Sequence, residues 1–543
     1  MPLLKDMTTA ELAAMRAAEA EIDGAHATNP LMREDLGAAL WALLSFVEDL
    51  QLRPIVQGNT DPSYREAALI DETLNALKFP IAWLHSRCAR SKKLRKHYGD
   101  TSYQSAWDLL EMARRYSGFE GAFQNWIRGD LGLRIEGNRI IVEADFAKTS
   151  EYEAYNRLSD YEEGQPDPPE ADGLGAEIDA LVRIQGDRFS VTPNPRLIER
   201  VMALQAPMFS RRFTLPESWA FTRYSLREFR LIYLALFSLA VIQRRARIFA
   251  AAHGCRGLGF VDAVVVTAKA DLVSRLTRYT GLPQGVVQAV LSDLTYGSRQ
   301  RTPDPALQPF ITLAEDSYAV VPFLWLHSSP ERNLCALLNR IPTERAIYLR
   351  LTEEKEQLMR AEIEAAAKAR GFRTASGNIP GRDDIGDVDL AIISDADQLC
   401  LLLELKWFVP PAEIREVHER RQELQKGISQ VERRLAALRE DDSACHSFLK
   451  SVPRIEGAVI SKNWIGDSSV QQLSRPVIAT PHFIAKLGAG EPLSVISDWL
   501  ATREYLPVLD KHYSIGKAEA VIGRWAIEWY GIKALIDGPF IAQ

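Results

Sequence analysis

Apolar residues recur every three or four positions through most of residues 1–128. This 3.6-residue period predicts helices over Ala10–Ile22, Leu36–Leu52, Tyr64–His97 and Ser105–Arg128, with Thr8 placed to cap the first. The pattern then shortens: Leu133–Val142 places short apolar runs on either side of Gly137-Asn138, a turn pair between two strands. Glu162–Gly173 is acidic, Pro-rich and without core-forming residues, which predicts a loop or linker at 162–173. Helical period returns at Leu174, and Ser225–Ala252 reads as one long apolar helix. Its most hydrophobic run, Leu231–Ile242, is too short to span a bilayer and stops at Arg244-Arg245, so it reads as buried.

Farther along, a helix over Ala270–Tyr279 is followed by Thr280-Gly281-Leu282-Pro283, where Pro283 suits the first turn of a second helix running to Leu294. Strand-like pieces follow at Phe310–Leu313 and Ser317–Val321. Helix, turn, helix and hairpin in this order resemble a winged helix-turn-helix, whose second helix would enter a major groove. That helix carries no Arg or Lys, so a packing role is as well supported as DNA reading; Arg299 and Arg301, just beyond it, are the basic residues placed to touch a backbone.

The most informative stretch is Gly386–Ile393 followed by Leu399–Lys406, two apolar runs joined by Ser394-Asp395-Ala396-Asp397, which predict a hairpin. Side chains alternate along a strand, so Glu404 and Lys406 share a face, and Asp389 on the paired strand lies within their reach. Burying such charges costs several kcal/mol each unless they are paired or hold a metal, about as much as many whole contacts contribute, so a structural role alone explains them poorly. Asp389 with Glu404-Leu405-Lys406 resembles the signature of the PD-(D/E)XK nuclease superfamily, without the Pro before the first Asp. The resemblance covers Leu351–Leu487. It implies an α/β nuclease core of four or five strands in which Asp389, Glu404 and the Leu405 carbonyl hold Mg2+ (or Mn2+) and Lys406 serves the attacking water. The amphipathic run Leu351–Arg370 donates a further acid in such domains; Glu356, Glu362 and Glu364 are candidates, and Glu362 is the one assigned. Gln430, in the helical run Ile414–Arg439, matches the glutamine that many members carry on the helix after the lysine. Phosphodiester hydrolysis of nucleic acid, with DNA as the expected polymer and phage defence as a setting, is what the resemblance implies.

Two rivals remain. Gly386-Asp387-Val388-Asp389 also suits a nucleotidyltransferase, but that site needs a Gly-Ser pair opening a helix upstream, and here Ser376-Gly377 leads into the turn-rich Asn378-Ile379-Pro380-Gly381. The other is a DNA- or partner-binding scaffold that keeps the nuclease fold. After the helix, Ile455–Ser461 and Pro476–Ala479 read as further strands, His482 as structural, and Leu493–Gln543 as a helical cap.

The reading is therefore multidomain and mainly α with an α/β C-terminal domain: a helical region over 1–255, a winged-helix-like domain over 256–345, a nuclease-like domain over 346–490 and a helical extension over 491–543. A chain of 543 residues, 46% of them hydrophobic, can bury several cores. Net charge of −7 restricts nucleic-acid contact to local basic patches. Two such patches are Arg87–Lys96, which includes Lys92 and Lys93, and Arg244–Arg256; neither has aromatics interleaved for stacking on single strands. Five scattered cysteines suggest neither a disulfide framework nor a zinc site. A cytoplasmic protein without a membrane segment is expected, and a homodimer or a partner protein is left open.

Overall fold

The computed structural model of this chain describes residues 7–56, 64–90, 93, 100–159, 174–211, 215–255, 261–299, 302–379, 386–411, 414–440, 449, 452–462, 464–536 and 540. The acidic segment 162–173, Lys92 and Arg301 lie outside them. The protein is mixed α/β with several sheets, and no described helix is long and apolar enough to cross a membrane. Among the described residues, Cys88, Cys255, Cys335 and Cys400 are buried thiols outside any disulfide.

The first helix, α1 (Thr9–Gly24), begins with a reciprocal cap: the Thr8 hydroxyl accepts the Glu11 N–H, and the Glu11 carboxylate accepts the Thr8 N–H at 2.8 Å. Helices α2 (Leu36–Val56), α3 (Tyr64–Arg87) and α4 (Asp100–Arg128) bury a common apolar stripe through Leu40, Leu44, Leu77, Ile81 and Leu110. The hairpin of β1 (Gly132–Glu136) and β2 (Arg139–Glu143) turns at Gly137, whose φ of +62° favours glycine. Then come α5 (Phe146–Ser159), α6 (Leu174–Leu181), β3 (Arg183–Gln185), β4 (Arg188–Ser190), α7 (Pro195–Arg211) and α8 (Leu226–Ala252).

In the middle of the chain, β5 (Val265–Ala268), α9 (Lys269–Thr280), α10 (Gln284–Asp293), β6 (Ile311–Ala314) and β7 (Ser317–Val320) form a three-stranded sheet, order β5-β7-β6, with its helices. Helices α8, α9 and α10 share a core containing Leu236, Leu272, Leu276, Val287 and Leu291. Next, α11 (Pro322–His327), α12 (Pro330–Arg340) and α13 (Pro342–Ala369) lead into the sheet that bears the candidate site.

That sheet consists of β8 (Arg373–Gly377), β9 (Val388–Ser394), β10 (Leu399–Trp407), β11 (Arg454–Lys462) and β12 (Val477–Ala479), in the order β12-β11-β10-β9-β8. The pairs β8/β9 and β9/β10 are antiparallel, while β10/β11 and β11/β12 are parallel. Between β10 and β11 the chain crosses over through α14 (Ile414–Glu440), as a parallel pair requires. Strand β10 is buried from Leu399 to Leu405, the near-continuous apolar run of a covered central strand. Gly457 lets α14 lie close on β11, because a Cβ there would meet Val431 at 2.4 Å. Three short helices follow, α15 (Ser468–Gln471), α16 (Thr480–Gly488) and α17 (Leu493–Thr502).

The chain's end departs from the helical cap expected over Leu493–Gln543. Beyond α17 it forms a hairpin, β13 (Tyr513–Ile522) and β14 (Trp525–Ala534), turning at Gly523 with φ +56°. Strand β14 pairs with β2, so the two hairpins make one sheet in the order β1-β2-β14-β13. Ile522, Trp525 and Ile527 fill the same core as Trp126, Leu133 and Ile140. Residues at opposite ends of the sequence are thus one packing unit, which a division into 1–255 and 491–543 separates.

Candidate active site

Asp389 and Glu404 come together where the β9/β10 ladder stops. Pairing runs from Leu399↔Ser394 to Leu403↔Leu390, and beyond it the Asp389 carboxylate replaces the backbone partner, accepting the Leu405 N–H at 2.8 Å. A strand residue's N–H and C=O leave by the same edge, so the Leu405 carbonyl also faces Asp389. Glu404 is 2% exposed, and one of its oxygens accepts from the Lys406 ammonium at 2.6 Å.

Helix α14 covers these two side chains with the face formed by Gly427, Gln430 and Arg434, which are three and then four residues apart. Gly427 lets the helix pass: a Cβ there would stand 3.1 Å from Lys406 Cε and 3.5 Å from Glu404 Cγ. The Gln430 side-chain oxygen accepts from Lys406 Nζ at 3.3 Å. Arg434, which sequence reasoning missed, is 4% exposed and donates to the second Glu404 oxygen. Its signal was present in the sequence: it falls one turn after Gln430, between the core positions Val431, Leu435 and Leu438.

The acid supplied by α13 is Glu356, which corrects the assignment of Glu362. Glu356 accepts from the Trp407 backbone, and it feels the charges of Lys406, Asp389 and Glu404. Glu362 lies six residues on, turned well away around a 3.6-residue helix. Glu364 is engaged elsewhere, accepting from Thr374 at 2.8 Å and from Lys368 at 2.8 Å. The neighbouring Lys355 points the other way, into a buried box where its ammonium lies 3.3 Å from the Trp407 ring centroid and near Trp219 and Tyr348. Lys355 and Glu356 therefore hold Trp407, the residue after Lys406, from its ring and its backbone.

Other expected site residues are placed elsewhere. Arg299 is committed to structure, donating to Asp293 at 2.8 Å and to Thr343 at 2.8 Å, which corrects its assignment to nucleic acid. Asp293 gathers it because this carboxylate is 1% exposed and also binds Arg223 and Tyr224. Lys93 is exposed; Lys92 and Arg301 lie outside the described residues. His482 sits in an aromatic cluster with its Nδ1 3.1 Å from the Tyr155 hydroxyl, and burial pushes its pKa down to about 4. Ser376 and Gly377 end strand β8 rather than open a helix, and Asp387 is exposed.

In comparisons with protein-family models, curated proteins and solved structures, nothing matches this chain. The site's own chemistry therefore carries the functional reading. Among the described residues no three His, Cys, Asp or Glu side chains form a ready metal cage. The donor set nevertheless suits a hard cation, since it consists of carboxylates whose negative charge is incompletely offset. Burial first, and then Glu404, push the Asp389 carboxyl up to about 6. Crowding of its carboxyl first, with Asp389 and Glu404 adding to it, pushes Glu356 up to about 7, although the residue as a whole is exposed to solvent. For Glu404 to offer an oxygen, Lys406 or Arg434 must move aside.

These shifts give a stability test. An acid whose pKa is raised by folding adds stability below its unfolded value, and that contribution is lost as pH rises through the folded value. For Asp389 the window runs from about 3.9 to about 6. In chelator, Asp389→Asn is therefore expected to be more stable than the parent at pH 8 by on the order of 2–3 kcal/mol, and no more stable below pH 4. Denaturant midpoints at the two pH values check this; equal differences at both would show that Asp389 carries no such penalty.

Proposed function

We propose that this protein is a metal-dependent nuclease of the PD-(D/E)XK kind, with a restriction-endonuclease-like core, that hydrolyses phosphodiester bonds, DNA being the first polymer to test. The observation that carries this reading is the convergence of Asp389, Glu404, Lys406, Gln430 and Glu356 at one end of a paired strand ladder. Asp389 and Glu404, with the Leu405 carbonyl, would hold magnesium or manganese. Such an ion, when bound, supplies charge for the phosphate oxygens and a water of lowered pKa. Lys406, positioned by Gln430, stands where a compact cation can hold and orient an attacking water and offset charge on the phosphate. Glu356 adds a third carboxylate beside Asp389 and Glu404.

A second reading, a scaffold with a nuclease-like fold, is favoured by one observation: both Glu404 oxygens are engaged by cations of the chain itself. The two part on incubation with plasmid, linear duplex, single-stranded DNA and RNA in magnesium, manganese or chelator. Cleavage is expected with the divalent ions, to be absent in chelator, and to vanish in Asp389→Ala. Binding without cleavage under every condition supports the scaffold; undiminished cleavage in chelator or by Asp389→Ala overturns the site.

A further inference from the structure

We infer that the cleft between α3, α4 and the β6/β7 hairpin is a binding site for single-stranded nucleic acid. This deepens the nuclease reading and takes from it the kind of polymer. The cleft measures about 1540 Å³. That exceeds the ~300–1,000 Å³ of small-molecule pockets, so an extended ligand suits it better.

Five basic residues from separate parts of the chain line it: Lys78 of α3, Arg90, Arg128 of α4, Lys269 of α9 and Arg415 of α14. Three acids, Glu120, Asp304 and Glu315, also line it, leaving an excess of two positive charges (five minus three). One of the acids counts for less, because burial pushes Glu120 up from its ordinary value.

The cleft also supplies stacking surfaces that the linear sequence does not put beside its basic runs. His85 and Tyr296, more than two hundred residues apart, stack with ring centroids 5.1 Å apart, and Phe79, itself packed on Trp83 and Tyr116, lines the same wall. His85 Nε2 is buried and without a hydrogen-bond partner there, and burial pushes its pKa down to about 4, so it is a neutral ring at pH 7. Aromatic platforms combined with a basic groove recognise unpaired bases; a duplex, whose bases stack on each other, offers such rings no free face.

The cleft and the candidate site are joined by α14. Arg415 lines the cleft and Gln430 reaches Lys406, fifteen residues along the same helix, or about 22 Å at 1.5 Å per residue. A strand held in the cleft would therefore be anchored away from the phosphate being cut.

Fluorescence anisotropy of the full chain in chelator tests this, with labelled single-stranded DNA and RNA of about 20 nucleotides, a duplex of that length, and polyglutamate as competitor. Single strands are expected to bind at least about tenfold more tightly than the duplex. Arg90→Glu and Lys269→Glu, each shown to melt like the parent, should weaken that binding about tenfold and lower the salt slope by about 0.7 for each phosphate no longer held. Arg454→Glu, which alters an exposed arginine paired with Asp498 outside the cleft, should leave it unchanged. Unaltered binding by both cleft variants, preference for the duplex, or equal displacement by polyglutamate overturns the inference. Cleft-dependent binding by a chain that never cleaves supports the cleft and removes the nuclease reading; cleavage with cleft-independent binding does the reverse.

Discussion

Replacing Lys406 by alanine is expected to slow single-turnover cleavage by a factor on the order of 10² or more, because a positioned cation or base at the attacking water contributes about that much. Lys406→Arg should not restore it, since a guanidinium is planar, bulkier and never neutral. The close approach beneath Gly427 gives the same result by another route. An alanine methyl there meets Lys406 Cε at 3.1 Å, so the lysine must shift from its place between Glu404 and Gln430. Alanine is also the better helix former by about 1 kcal/mol. Gly427→Ala should therefore keep or raise the melting temperature while lowering cleavage. A structural role for Lys406 predicts that activity and stability fall together. Wild-type-like cleavage by Lys406→Ala would mean that the Glu404-Leu405-Lys406 assignment is wrong.

The largest stability loss is expected from Glu404→Ala. From the sequence this change looks like simple removal of a metal ligand that leaves the fold intact. The geometry says otherwise, because Glu404 is 2% exposed and holds Arg434, 4% exposed, together with Lys406. Removing one partner of a buried ion pair leaves an uncompensated charge and costs about 3–5 kcal/mol. Arg434 has little recourse, since its Nε is already buried without a partner. Adding Arg434→Met to Glu404→Ala should recover most of that loss, because a buried pair replaced by apolar groups is often neutral. Urea midpoints for the two single variants and the double variant decide it; strictly additive losses would show that the pair does not interact. Glu404→Gln, which keeps the shape, is the better probe of catalysis.

The sequence by itself determined the local elements and the chemistry at the strand ends. The 3.6-residue period located α1 to α4, α8, α13 and α14, since one buried stripe on a helix forces that spacing whatever the stripe packs against. Likewise, two apolar runs joined by an Asp-rich turn placed Asp389, Glu404 and Lys406 at one end of a hairpin, because strand geometry leaves few other arrangements. Only the tertiary structure decided which side chains from other elements join them. Choosing Glu356 over Glu362 requires the rotation of α13 about its axis relative to the sheet, which packing along the whole helix sets and no local pattern encodes. Arg299 stands just beyond the second helix, where the sequence offers it to a nucleic-acid backbone, but it is drawn to Asp293, a buried carboxylate that must be paired. The C-terminal hairpin depends on the free edge of β2, nearly four hundred residues earlier, so its strands have no local reason to be recognised as part of that sheet. Long-range pairing of this kind is stabilised only after distant residues have met, which is why the chain's two ends, and the cleft between its helices and its middle sheet, became visible only in three dimensions.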